Sequence, residues 1–330
     1  MICRRSFALG TIAAALLWST RGAGAPPPGR VYRIGVLDPN PDAFTVEWNE
    51  FVAELARRGY SEGRNLVFER RFGEELRPDL LSQYARELVA LKVDLLYAAH
   101  GTQSALAAKN ATKTIPIVFN SSGDPVGLGL VASLSRPGGN LTGSSISGTS
   151  IFTKRVQYLV EAIGRSNIRI VQLDLRGTRS LPWFSQSAAA MTAAAGQLGV
   201  KYEYVEVDSI AEIEVALKRL VREGVDAVSF EPFPVFLPHL KRIAGMLVDH
   251  RLPSIGDPRA GFFLYYEPDH LQLARKAAEY VDKILGGASP ADLPVEQAST
   301  FRLVINGKTA RAIGLQIPPS ILQRADEVIQ

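Results

Sequence analysis

Along this chain the apolar residues follow two alternating rhythms. Short apolar runs, "RVYRIGVL" (30–37), "NLVFERRF" (65–72), "VDLLYAA" (93–99) and "IPIVFN" (115–120), have the length and composition of strands. Between them the apolar spacing changes to three and four residues. Trp48, Phe51, Val52 and Leu55 share one helical face in "EWNEFVAELARRGY", where Gly59 marks the stop. Leu81, Tyr84, Leu88 and Leu91 do the same in "PDLLSQYARELVAL", and "TQSALAAKNAT" is a third helix. After a polar loop over 120–143 the alternation resumes. Strands are predicted at 168–175, 201–207, 225–230 and 252–256, with helices in "TKRVQYLVEAI", "LPWFSQSAAAMTAAAGQL", "SIAEIEVALKRLVREG" and "FLPHLKRIAGMLVDH". Strands buried on both faces, each followed by a helix, imply parallel sheets covered on both sides. The chain therefore reads as two α/β units in series. The tail after 262 ("FFLYYEP", "HLQLARKAAEYVDKILGG" and the segments beyond) is too short for a third unit. It is expected to complete the first two, so that the chain crosses between them more than once.

The first 25 residues stand outside this pattern. Arg4 and Arg5 precede an uncharged run from Phe7 to Trp18, and Ala23-Gly24-Ala25 follows. A basic start, a short apolar middle and small residues at the end form a secretory leader over 1–25, and "RRSFA" resembles a twin-arginine signal. At 12 residues the run is shorter than the roughly 20 needed to span a bilayer as a helix. Losing this leader changes the charge. Three arginines and no acids lie within it, so the formal net charge falls from +4 to +1. A nearly neutral chain lacks the basic face expected of a nucleic-acid binder. The single cysteine, Cys3, belongs to the leader too.

Catalytic patterns are sparse. No two histidines stand at the i, i+4 spacing of a helical zinc site. "GLGLVA" (127–132) fits a dinucleotide pattern only formally, since it does not open a helix directly after a strand. No G-x-S-x-G elbow occurs. The reading is of a protein that is not an enzyme and needs no cofactor or metal.

Seven segments carry a resemblance that covers nearly all of 30–330. They are "RIGVL", "LARRGYSEGRNLVFERRF", "LVALKVDLLYA", "SALAAKNATKTIPIVF", "GDPVGLGLVASLSRPGGNLTG", "YVDKILGGASPADLPVEQ" and "FRLVINGKTARAIGLQIPPSILQRADEVI". Together they are similar to the ABC-transporter substrate-binding family that includes tryptophan- and tyrosine-binding members. The resemblance implies a type I periplasmic binding fold, two Rossmann-like lobes with parallel sheets and a ligand cleft between them. It assigns 30–147 with about 262–298 to one lobe, and 148–261 with about 299–330 to the other. It implies a periplasmic monomer that closes on a small carboxylate-containing solute, an amino acid or an aromatic or organic acid, and delivers it to an ABC permease. The alternative is a receptor on the same fold that signals to a membrane partner.

In such a fold, ligands sit beyond the carboxyl ends of the strands. That rule, with the resemblance, nominates residues at each strand exit. Asn40, Phe44 and Thr45 follow the first strand. His100, Gly101, Thr102 and Gln103 follow the third and open a helix, whose free N–H groups suit a carboxylate. Thr102 is also a candidate N-cap. Asn120, Ser121, Asp124 and Pro125 follow the fourth; Asp124 either reaches the ligand or caps its own turn. Ser144 and Ser145 stand where the first crossover begins. In the second lobe the resemblance weakens. Leu175-Arg176 replaces an Asn-Pro pair, and Pro232-Phe233-Pro234 replaces Pro-Asp-Pro. The candidates there are Arg176, Glu231, Phe233, Asp257 and Tyr266, with Arg176 and Phe233 suited to an acidic or aromatic carboxylate.

Overall fold

The structure, a computed structural model, describes residues 29–39, 45–73, 77–121, 123–146, 148–180, 182–231 and 233–330. The leader expected over 1–25 lies outside them. The first unit runs β1 (Tyr32–Asp38), α1 (Thr45–Arg57), β2 (Leu66–Phe72), α2 (Pro78–Ala90), β3 (Leu95–Ala98), α3 (Thr102–Ala111), β4 (Ile117–Ser121) and β5 (Leu141–Ser145). The second runs α4 (Gly148–Ile163), β6 (Arg169–Leu175), α5 (Pro182–Gln197), β7 (Lys201–Val207), α6 (Ile210–Arg222), β8 (Ala227–Phe230), α7 (Leu240–Asp249), β9 (Ser254–Ile255) and β10 (Leu264–Pro268). The tail adds α8 (His270–Leu285), β11 (Glu296–Gln297), β12 (Phe301–Asn306), α9 (Gly307–Ile313), α10 (Pro319–Leu322) and β13 (Glu327–Ile329).

The strands form two sheets, in the orders β11-β5-β4-β3-β1-β2 and β13-β12-β10-β9-β8-β6-β7. Both have the two-lobed α/β architecture expected from the alternation. β1 and β3 show why their sequences are so apolar: nearly every residue is buried, because helices cover both faces. α1 and α8 pack together on one face, where Phe51, Leu55, Ala277, Tyr280 and Val281 share a core and the Phe51 ring stacks on Tyr97 at 4.5 Å. Gly59 ends α1 as anticipated. At φ +91 it takes the left-handed turn that lets Tyr60 N–H reach the Leu55 carbonyl at 2.9 Å.

Two elements depart from the sequence reading. β5 begins in the last three residues of the expected loop; after Leu141 its residues are small or polar, yet all five are buried in the sheet. β10 was expected in the first lobe, but it pairs with β9 and β12 in the second sheet. The second crossing therefore falls between Pro268 and His270 instead of near 262.

The crossings also fix which edges face each other. β5 and β10 both end at a crossing, and β12 begins at one. The strands parallel to β5 and β10 therefore point their carboxyl ends toward the hinge side. β12, which starts there, must run away from it, and it is the antiparallel neighbour of β10, with Phe301 opposite Pro268. Backbone bonds tie the crossings together: Ala298 N–H to the Ser145 carbonyl at 3.0 Å, and Asp269 N–H to the Thr300 carbonyl at 2.9 Å. Among the described residues no helix is long and apolar enough to cross a membrane.

Candidate functional site

The carboxyl edge of the first sheet collects three buried polar atoms that have no partner. They are Gln103 Oε1, Asn120 Oδ1 and Ser144 Oγ, on residues 8 %, 8 % and 1 % exposed. Asn120 and Ser144 are register partners on β4 and β5. Gly101 N–H donates to the Asn120 carbonyl at 3.0 Å, which fastens the start of α3 to the end of β4. Buried polar groups are normally paired, because an unmade bond costs about 1–3 kcal/mol. Asn120 and Ser144 sit on paired strands and Gln103 on the helix fastened to β4, which makes them a candidate socket for something polar.

The start of α3 belongs to the same socket. Its N-cap is Gly101, at φ +103, with no side chain to cap the first turn. Thr102 is therefore the first helical residue, not the cap expected from sequence. Ser104 turns its hydroxyl back to the Ala99 and Gly101 carbonyls, at 2.5 and 3.0 Å. Beside it, His100 adopts φ +44, unusual for a residue with a side chain, and its Nδ1 is hydrogen-bonded to Asp38 Oδ2 at 2.9 Å. That pair links the ends of β1 and β3.

Other first-lobe candidates serve the loop. Asp124 is exposed, and its Oδ1 accepts from Val126 N–H at 3.0 Å, the bond of a turn cap. Pro125 is buried, and its carbonyl accepts from Leu130 and Val131 N–H at 2.8 and 3.1 Å. Ser145 Oγ donates to the Gly123 carbonyl at 3.3 Å. The glycine- and serine-rich stretch thus wraps onto the first lobe, burying Leu130 and Val131 in its core. Thr45 begins α1 and Ser121 ends β4, whereas Asn40 and Phe44 lie outside the described residues.

The second-lobe candidates already have partners or packing within their own lobe or stand exposed. Arg176 is 52 % exposed in its side chain and already held by Asp208 at 2.5 Å and Glu212 at 2.7 Å, a surface ion pair. Phe233 is buried in the lobe core with Phe230 and Phe236. Glu231 is exposed, and its carbonyl accepts from Phe233 N–H at 3.0 Å. Asp257 is exposed, and its Oδ1 caps a turn by accepting from Arg259 N–H at 2.9 Å. Tyr266 packs its ring on Phe301 and Tyr158, at 5.5 and 5.3 Å, within the lobe.

Its neighbour Tyr265 is half-buried. It lies on the opposite face of β10, and burial pushes its hydroxyl up to about 12 with Asp257 and Glu47 adding to the effect. Glu47 belongs to α1 of the first lobe. His270, at the start of α8, is pushed down to about 4 by burial, then by His100 and Arg155. Arg155 pairs with Glu267 and donates to the Tyr266 carbonyl at 3.0 Å, bracing the strand that leads into the crossing. Sequence reasoning passed over Tyr265, Glu47, Arg155 and His270.

Comparison with known proteins agrees with this geometry. A family model described as ABC transporter substrate binding protein matches residues 41–329. A tyrosine-binding protein of Clostridioides difficile (strain R20291) is 28 % identical over 281 residues, covering 81 % of this chain and 76 % of its own. Among solved structures, a conserved domain protein from Vibrio cholerae superposes with a TM-score of 0.78 at 25 % identity, covering 91 % of this chain and all of its own. A domain from Streptococcus pneumonia in complex with L-Trp does so with a TM-score of 0.76, at the same identity and coverage.

Proposed function

Because the chain belongs to the ABC transporter substrate binding protein family, we propose that it captures an amino acid between its lobes and yields it unchanged to the permease of an ABC importer. The observation that carries this reading is the trio of unpartnered buried atoms at Gln103, Asn120 and Ser144 beside the uncapped start of α3. The chemistry of that socket is two-sided. Amide oxygens accept from an ammonium group, and helix N–H groups donate to a carboxylate. A zwitterion satisfies both; a plain organic acid leaves the amide oxygens unmet. An aromatic side chain is favoured because one relative is a tyrosine-binding protein and one similar solved domain is in complex with L-Trp.

Closure follows from binding both lobes at once. A ligand that touches both favours the closed arrangement by its difference in affinity for the two states. The protein acts as a monomer in the periplasm, exported by its leader through the twin-arginine route. Its lobes do no chemistry on the solute.

Calorimetric titration of the purified full-length protein tests this. L-tryptophan, L-tyrosine and L-phenylalanine are each compared with the deaminated acid and the decarboxylated amine. Expected is reversible 1:1 heat for at least one amino acid with a Kd near or below micromolar, about 8 kcal/mol, and at least tenfold weaker binding of both truncated analogues. Equal binding of the deaminated acid would overturn the zwitterion; no heat from any amino acid would overturn the whole reading.

A further inference from the structure

The second lobe has unpartnered atoms of its own, at the carboxyl end of β6. Asp174 is 0 % exposed and Thr178 1 %, yet Asp174 Oδ2 and Thr178 Oγ1 have no partner. The other carboxylate oxygen is taken. Asp174 Oδ1 accepts from Gln172 Nε2 at 2.7 Å, and Gln172 Oε1 accepts from the Tyr202 hydroxyl at 2.7 Å. Asp174 is thus fixed in place with one oxygen left over.

It is also the middle of a row of three acids. Glu206 on β7 is its register partner, and residues in register on parallel strands face the same side of the sheet. Glu231 follows β8, one residue beyond the Leu173–Phe230 pair, which sets it beside Asp174. All three stand at the carboxyl ends of adjacent strands, the edge at which α/β sheets take ligands. Among the described residues none of the three is in an ion pair, whereas Glu203, Asp208 and Glu212 of the same lobe are each paired with an arginine. The Arg179 guanidinium stands over the Tyr204 ring, at 5.9 Å. Gly177 and Arg179 N–H donate to Glu206 Oε1 at 3.2 and 3.3 Å, which brings the turn that carries Thr178 to the row. Among the described residues no acids and histidines are gathered as a metal site. The row therefore suits an organic cation, whose charge comes with N–H donors.

We propose that this row is the counter-charge for the solute's ammonium group, with Asp174 Oδ2 as the specificity-determining contact of the second lobe. The inference rests on the amino-acid reading given above. An ammonium has three N–H donors. The first-lobe socket offers it two unpartnered amide oxygens, Gln103 Oε1 and Asn120 Oδ1, and no unpartnered carboxylate. The third donor and the charge are left for the other lobe. Asp174 is sealed from water in the solute-free protein, so the contact forms as the lobes close and adds to the difference in affinity between closed and open states. Burial, then the charges of Glu231 and Glu206, push the Asp174 carboxyl up to about 7 against the pull of Gln172. An approaching ammonium acts in the opposite direction, because a nearby positive charge favours the ionised acid.

Calorimetric titration of the full-length protein at pH 8, above the value to which the Asp174 carboxyl is pushed, tests this with L-tryptophan, L-tyrosine and L-phenylalanine, each beside its deaminated acid. Asp174→Asn, a near-isostere, is expected to weaken the amino acid that the wild type binds by at least about tenfold, the worth of a hydrogen bond to a charged group. The deaminated acid should bind this variant as it binds the wild type, so the preference for the ammonium collapses. Glu231→Gln, at an exposed position, carries the test alone if Asp174→Asn fails to fold; its expected loss is about threefold, again confined to the amino acid. The two readings fail differently. A wild type that takes up no amino acid overturns both. A wild type that binds one, with affinity unmoved in either variant or with the deaminated acid weakened equally, overturns the second-lobe contact and leaves the first-lobe socket standing.

Discussion

Ser144 and Asp124 stand a few residues from the same gap, and opposite consequences are expected when each is cut back to alanine. Ser144 Oγ is buried without a partner, so the ligand-free protein already bears its desolvation cost. Ser144→Ala should leave the melting temperature unchanged or slightly higher, while affinity for the bound amino acid falls about tenfold, the worth of one hydrogen bond to a charged group. Asp124 is the mirror case. Its Oδ1 is engaged by Val126 N–H, so Asp124→Ala should cost about 1 kcal/mol of stability, by analogy with lost caps, and leave affinity intact. Paired melting and titration curves decide both; loss of affinity in Asp124→Ala with melting unchanged would restore it as a ligand contact. Much of the first-lobe socket was legible in the sequence. The strand-exit rule nominated Gln103, Asn120 and Ser144 without any coordinate. It also nominated Asp124 and Ser145, because the rule names a neighbourhood and does not say whether a polar atom is already taken by its own loop.

At the scale of elements, alternation was readable because each strand is short and apolar and each helix is amphipathic, both local properties. What failed to read was non-local. β5 hides in "LTGSS" because burial of its small residues depends on β4 and β11 on either side. β10 was given to the wrong lobe because "LYYEP" looks the same in either sheet. Parity matters there too: Tyr265 and Tyr266 stand on opposite faces of β10, since a one-residue change on a strand reverses the face. Phe233 shows a further case: the resemblance nominated it, where Pro-Phe-Pro replaces Pro-Asp-Pro, as suited to an acidic or aromatic carboxylate, yet the side chain is in the core beside Phe230 and Phe236. Phe233→Ala is therefore expected to lower unfolding free energy by about 3–5 kcal/mol, the usual effect of emptying a buried phenylalanine site. Denaturant titration measures this; a loss under 1 kcal/mol accompanied by loss of ligand would return the ring to the cleft.

For the whole molecule, a buried carboxyl and a half-buried imidazole pull its pH dependence in opposite directions. Asp174 is raised to about 7, mainly by burial. Between its ordinary value near 4 and about 7 the folded chain holds a proton that the unfolded chain has lost, so this group makes stability fall as pH rises. His270 is lowered to about 4, again mainly by burial. Between about 4 and its ordinary value of 6.5 the unfolded chain holds a proton that the folded chain refuses, so this group makes stability rise with pH. Each slope is at most about 1.4 kcal/mol per pH unit, and across the shared window they oppose one another. The contribution of the pair should be nearly level from pH 4.5 to 6, and each single variant should tilt the curve. Asp174→Asn leaves His270 uncompensated, so its stability relative to wild type should climb as pH rises through the window. His270→Gln leaves Asp174 uncompensated, and its relative stability should decline over the same range. Denaturant midpoints at four or five pH values for the three proteins suffice. Parallel curves would mean that neither group is held away from its ordinary titration by the fold. Tilts in the same direction would mean that one of the two is held in the opposite charge state.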